Sequence, residues 1–325
     1  MGSEFFSNCS WLTSHSPKHK TMKKAIKYSI ILCVISWIYA AIMIFGLDVQ
    51  NPSDNPMRYT MCASLYMLLP MMVAIVMQKI NKEKLTSTGL LRFKIKWSWL
   101  VAWMLPVVIV LLTIFVNALL PGCEFNADLS SMISMDQVPE EQKEMVSMLM
   151  TPAFMILITV ISGLFAGATI NALFAFGEEY GWRNYLVSAL KEKKFVCASI
   201  FIGIVWGIWH FPLILLGHNY PQHSVAGVFM MVIFCVLASF VELYIVLKAK
   251  SVYPAAIFHG TINAVAGLNV LLIKGGNDLI NGATGVSGFI LMSIVIAIIY
   301  VFDKYVLKDN IFSKTIGEVL EDVER

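Results

Sequence analysis

The sequence predicts an all-α polytopic membrane protein, with about eight transmembrane helices around an intramembrane polar cavity. Three observations carry this. Of the 325 residues, 58% are hydrophobic and 14% charged, and the apolar residues gather in several runs of the roughly 18 to 25 that a spanning helix needs. The basic residues fall in short connections and not in a patch, and the net charge is only +3, which excludes a nucleic-acid partner. Finally, the stretch Gly177-Glu178-Glu179-Tyr180-Gly181-Trp182-Arg183 places two adjacent carboxylates and an arginine in otherwise apolar sequence. Ionisable side chains in hydrocarbon are costly and are kept mainly where they pair or line a polar cavity.

The spans are expected at about 28–47, 59–78, 98–120, 152–190, 195–217, 225–247, 252–273 and 285–307. Lysines and arginines set their orientation. Lys23, Lys24 and Lys27 precede the first run, and Lys79, Lys82, Lys84, Arg92, Lys94 and Lys96 lie between the second and third. Lys191, Lys193 and Lys194 follow the fourth, Lys248 and Lys250 the sixth, and Lys304 and Lys308 close the eighth. If all eight runs span, every cluster is on one side, the cytoplasmic one, with both termini. The bilayer is thus one partner.

Residues 1–21 have the polar, unpatterned look of an expression tag or vector-derived segment, with Met22-Lys23-Lys24 as the natural start, leaving 22–325 as a single transmembrane catalytic domain. The first run lacks a small-residue cleavage site and reads as a retained helix. Pro70 and Pro106 sit mid-span, where a kink is tolerated if neighbours satisfy the freed carbonyl. The outer loop 121–151 is acidic, with Lys143 its one base, and a short amphipathic helix is expected around Pro139 to Met150. The fourth segment is odd, since 152–190 as one helix would be about 58 Å long. It must project or break, with Gly163, Gly167 and Gly177 as candidate breaks. The tail 308–325 is charged. The six cysteines are scattered without C-x-x-C spacing and read as small buried hydrophobes.

Glu179 and Arg183 stand four apart, acid first, which suits an ion pair on one helix face. That supporting pair would neutralise one carboxylate and leave Glu178, about 100° round the helix, free. His210 falls late in the fifth span, and His259 lies in the seventh with Asn263 one turn further on the same face; Pro254 suits the start of that helix. Glu178, His210, His259 and Asn263 come from three helices. They could bind a divalent metal such as zinc through Glu178, His210 and His259 with a water in the open position. Alternatively, Glu178 and His210 could activate water directly while His259 and Asn263 steady an oxyanion. Neither a G-x-S-x-G nucleophile signature nor a phosphate-binding glycine loop is present. His218 and His223 read as solvated loop residues, and Trp182, Trp206 and Trp209 as cavity walls or packing. Glu242, near the inner end of the sixth span, either lines the same cavity or, the preferred reading, is an interfacial carboxylate near Lys248.

At these residues the chain resembles the CPBP family, the CAAX protease and bacteriocin-processing (Abi) intramembrane endopeptidases. E-E-x-x-x-R is present as Glu178-Glu179 with Arg183, the F-x-x-x-H motif as Trp206 to His210, and H-x-x-x-N as His259 to Asn263. Trp206 departs from the usual Phe, which changes the pocket wall. The motifs lie within residues 177–263, about a quarter of the chain, and the ordered set is far more specific than any one of them. The resemblance implies that Glu178 is the catalytic acid/base, that His210 helps hold the water or metal, and that His259 and Asn263 complete the site. It also implies a conical cavity open to the cytoplasm, and a peptide or protein substrate reached from the membrane or cytoplasmic side. The compact form looks bacterial, which points to a peptide precursor or a role in self-immunity in place of a prenylated protein. The rival from another class is a non-catalytic membrane protein, a proton-coupled carrier or immunity scaffold with a buried Glu/His relay; the lack of an evident inverted repeat weighs against a carrier.

Overall fold

The computed structural model describes residues 17–50, 52–129 and 138–321. Most of the segment read as vector-derived, residues 1–16, lies outside these. The architecture is helical. Helix α1 (Pro17–Ala41) runs on through a wide π-type turn to Gly46, and α2 (Pro56–Ile80) and α3 (Trp97–Ala118) follow. Asn55 caps α2 through its side chain, with Pro56 pre-set in the first turn. Both α2 and α3 continue through Pro70 and Pro106.

Among the described residues, six helices are long and apolar enough to cross a membrane: Thr21–Gly46, Pro56–Ile80, Trp97–Ala118, Ser224–Ala249, Tyr253–Leu272 and Val286–Leu307. All eight expected runs are helical, but three are interrupted, the seventh only at Ala266. The fourth comprises α5 (Pro152–Ala168) and α6 (Ile170–Glu179), a π-type turn Tyr180–Tyr185 and the short α7 (Leu186–Ala189). It breaks at Thr169, whose φ of −120° and ψ of −99° are not helical, and not at a glycine. The amphipathic helix of the outer loop is α4 (Glu140–Leu149), bent by 69° from α5. The fifth run divides at His210 into α8 (Phe195–Trp209) and α9 (Phe211–Leu215).

The remainder is α10 (Ser224–Ala249), α11 (Tyr253–Val265), α12 (Gly267–Leu272), α13 (Val286–Val301) with a π-type continuation to Leu307, and α14 (Ile316–Glu321) in the charged tail. Side chains such as Phe45, Met57, Ile80, Phe165, Leu173, Val225 and Phe229 stay exposed on the outside of the bundle, a surface that lipid tails solvate and water would not.

A two-stranded antiparallel ladder was not expected from the sequence. Strand β1 (Cys123–Phe125) pairs with β2 (Ile273–Gly275), Glu124 opposite Lys274. Three-residue strands separated by about 150 positions leave no periodic signal.

Helices α8 and α10 make the most extensive helix pairing. Gly203 and Gly207, one turn apart, allow it: a Cβ on Gly203 would lie 2.4 Å from Val236 Cα, and one on Gly207 2.5 Å from Val232 Cα. Small residues at this spacing let two backbones approach where no hydrophobic effect drives helices together. The free cysteines Cys33, Cys62, Cys123 and Cys235 are buried or partly buried, as small hydrophobes are. Cys197 corrects that reading, being disulfide-bonded; scattered positions along a chain do not reveal which thiols meet in space.

Candidate active site

Glu178 and Glu179 end α6, and the π-type turn that follows carries Trp182 and Arg183. His210 joins α8 to α9, Glu242 lies on α10, and His259 and Asn263 lie on α11. Glu178, His210, Glu242, His259 and Asn263 all line one cavity of about 280 Å³. The four residues expected to act together therefore face a common space. Asn263 is exposed, whereas the other three are buried.

The Glu178 carboxylate receives two indole N–H groups on one oxygen. Trp206 Nε1 donates to Oε2 at 2.7 Å and Trp182 Nε1 to the same atom at 3.3 Å. No side chain of the described residues bonds its other oxygen. The tryptophans expected as walls thus hold the carboxylate, and their spacing was a usable signal: Trp182 stands four residues after Glu178, one helical turn. In place of the family's phenylalanine, Trp206 brings a hydrogen-bond donor.

Glu179 plays the pairing role anticipated for it. Arg183 Nη1 donates to its Oε1 at 3.0 Å, within a fully buried pair, and Arg183 Nη2 donates to Ser239 Oγ at 3.2 Å. The indole of Trp206 covers the guanidinium, 4.3 Å from Cζ to the ring centroid, an added attraction for a desolvated cation. Sequence reasoning missed the second carboxylate. Glu242 is 1% exposed and contacts Arg183 Nη2 directly, which corrects its reading as an interfacial group beside Lys248. Lys248 pairs instead with Asp309. The six positions between Glu242 and Lys248 are nearly two helical turns, enough to separate a buried centre from the interface.

Both histidines are fixed by what their Nδ1 atoms meet. His210 Nδ1 is 2.8 Å from the Trp206 carbonyl; a carbonyl only accepts, so Nδ1 carries the hydrogen and a neutral ring keeps its lone pair at Nε2. His259 Nδ1 is 2.9 Å from Glu179 Oε1, so one carboxylate oxygen orients both Arg183 and His259. The T-shaped contact of His259 with Trp206, 5.3 Å between centroids, completes its seat.

The metal expectation can be tested against this chemistry. Among the described residues, Glu179, Glu242 and His259 are the group whose ligand atoms lie within 4.8 Å of one another; Glu178, His210 and His259 do not form such a group. Arg183 already contacts both carboxylates of that trio. Its guanidinium supplies the positive charge that a divalent ion would bring, so the donor set fits a metal poorly.

His218, expected to be solvated, lines the cavity with its ring 5.8 Å from that of Tyr59, while His223 is exposed and pairs with Asp278 at 2.6 Å. The cavity also reaches Asn219, Ala283 and Thr284. These belong to the loops between α9 and α10 and between β2 and α13, at the end of the bundle opposite the lysine-bearing connections. A mouth at the basic end, as implied by the family resemblance, does not match this lining.

Residues 152–265 match the family model described as type II CAAX prenyl endopeptidase Rce1-like, a segment that contains all three motifs. A protein described as CAAX prenyl protease 2, from Methanococcus maripaludis, is 32% identical over 133 residues, covering 39% of this chain and 46% of that protein. The chain therefore matches less than half of that relative's length. Both findings are similarities of part of the chain to CAAX prenyl endopeptidases.

Proposed function

We propose that this chain is an intramembrane endopeptidase that hydrolyses a peptide bond of a membrane-associated protein or peptide precursor, with water activated by Glu178. The observation that carries the reading is the Glu178 carboxylate itself. It is buried on the wall of a cavity shared with two histidines, its Oε2 held by two indoles and its other oxygen left to a water. Its partners set it apart from its neighbours: Glu178 accepts only from neutral indoles, whereas Glu179 and Glu242 are drawn onto the Arg183 guanidinium.

Glu178 accepts a proton from water as the water oxygen attacks the scissile carbonyl carbon, and the carbonyl π-bond electrons move onto oxygen. His210, whose Nε2 keeps its lone pair while Nδ1 is held by the Trp206 carbonyl, orients that water. The oxyanion is met by the Asn263 amide and by His259, which keeps a counter-ion in contact through Glu179. Collapse of the tetrahedral intermediate breaks the C–N bond, and the proton held by Glu178 passes to the leaving nitrogen, giving a new carboxylate and a new amine. A base and donors fixed in a water-poor cavity need no reorganisation during the reaction. Arg183 contributes by neutralising Glu179 and Glu242, so that Glu178 does not work against two uncompensated neighbours. On this reading no divalent ion is required, although the trio around Arg183 is where one would be sought.

The CAAX sequence kinship supports a protein or peptide substrate in a membrane, and the cell membrane as the location. The test is cleavage of candidate precursor peptides by purified protein in lipid, with Glu178→Gln as control. That change keeps shape while removing the base. Loss of cleavage with normal folding supports the reading. Full activity in the variant refutes it and favours a non-catalytic scaffold.

A further inference from the structure

The active-site cavity continues into a second cavity of about 610 Å³, and six residues line both: His218, Asn219, Asn263, Ala266, Ala283 and Thr284. The second one is bounded by the loop before α10, by α12 and by the β2–α13 loop. Each of these belongs to the end of the bundle away from the lysines. The basic end is closed to the site. Phe176 and Tyr253 stack there at 5.3 Å between centroids, with Phe93 and Trp99 against Tyr253. Tyr180 bonds Gln78 at 2.9 Å, Thr88 bonds Asn184, and Lys24 pairs with Glu83 at 2.6 Å. A cavity at that end, between the 86–92 loop, Lys250 and Leu320, shares no lining residue with the active site.

Lysine and arginine mark that closed end as cytoplasmic. It gathers Lys82, Lys84, Arg92, Lys94, Lys96, Lys191, Lys193, Lys194 and Lys248, whereas the opposite loops carry Glu124, Glu140, Glu141, Glu144 and Asp278 against the two lysines Lys143 and Lys274. The bias of basic residues in short loops orients polytopic proteins. It is dense enough that partial burial and the like charges of Lys94 and Lys248 lower the pKa of Lys96.

We propose that the site is reached from the extracytoplasmic side, through a vestibule of mixed amide and apolar lining that receives an extended, uncharged peptide segment. Asn219, Asn263, Asn269, Asn277 and Asn281 line the vestibule; Asn269 and Asn281 are already bonded to Asn117 and Gly275, and the exposed Asn219 and Asn263 can donate to and accept from a peptide backbone. Its one carboxylate, Asp278, already accepts from Gln222 N at 2.6 Å and pairs with His223. The substrate class rests on the endopeptidase reading, but the side of access does not.

Single cysteines separate the two. In intact cells, a membrane-impermeant maleimide should label Gln222→Cys at the mouth and Thr284→Cys on the shared wall well above the unsubstituted protein. Lys84→Cys should react at least tenfold faster after permeabilisation than before. Labelling of Lys84→Cys in intact cells, or of Thr284→Cys only in permeabilised ones, overturns the inference whether or not the protein is a protease. Where cleavage is measurable, a membrane-tethered reporter with its target segment outside should be cut, and one with the segment inside should not. Cleavage only of the inner reporter refutes the access route. Cleavage of both that persists in Glu178→Gln refutes the endopeptidase reading and leaves the labelling result standing.

Discussion

Arg183 is the keystone of the polar centre, and its coupling to Glu242 can be measured. Both side chains are almost completely buried, and Arg183 also holds Glu179. Replacing Arg183 by Met leaves two carboxylates in the interior with only His259 nearby, and removing one partner of a buried pair costs about 3 to 5 kcal/mol. Replacing Glu242 by Leu leaves Arg183 with Glu179 as its remaining carboxylate, so its cost belongs at the low end, about 3 kcal/mol. With both changed, Glu179 and His259 remain as a one-to-one pair at 2.9 Å. Apolar replacement of a whole buried pair is often close to neutral, and the double variant should cost no more than Arg183→Met alone. The expected coupling is thus about 3 kcal/mol, at the top of the range for contacting residues. The assay is unfolding in mixed micelles of rising SDS fraction, followed by tryptophan fluorescence, for wild type, both single variants and the double. Costs that add to within about 0.5 kcal/mol would refute the reasoning, since that is how independent sites behave.

Other expectations follow from the same geometry. Glu178→Gln should lower the cleavage rate by at least about 10²-fold, the usual contribution of a positioned general base, with an unchanged unfolding midpoint; activity and midpoint falling together would mean a structural role. Gly203→Ala should destabilise by about 1 to 3 kcal/mol, because its methyl would sit 2.4 Å from Val236 Cα; a neutral result would show that α8 and α10 are not so closely joined. Purified protein, stripped of loosely bound ions, should contain well under one equivalent of zinc by elemental mass spectrometry and retain activity in a chelator. One equivalent lost on His259→Ala or Glu242→Gln, with Arg183 intact, would overturn the metal-free reading.

Much of the fold was legible because membrane helices announce themselves: every run expected to span is helical, and the E-E-x-x-x-R spacing foretold the Glu179–Arg183 pair. The three polar motifs also pointed to one shared cavity. What escaped the sequence was long-range. Glu242 could not be told from an interfacial carboxylate, since its partner lies 59 positions earlier and is reached across the α10 packing. Trp206 and Trp182 read as bulk because an indole donor shows its use only when an acceptor is found. The break at Thr169 fell between the glycines that would have invited it. The direction of the cavity is a related matter: which loops rim a cavity depends on how eight runs assemble, and charge alone tells only which way each one points.

The wide turn at Tyr180–Tyr185 makes chain length itself a property of the site. A π-type turn takes one residue more than the α-helical turn it replaces, so this stretch carries a spare residue between two otherwise ordinary helical courses. Losing one residue there would let the turn relax to α-helix while α6 before it and α7 after it kept their seats. Only the residues inside the turn would shift, Arg183 and Trp182 among them. A one-residue deletion is therefore a finer instrument here than most substitutions: it would leave Glu178 and Glu179 in place and withdraw, in a single step, the cation from one carboxylate and an indole from the other.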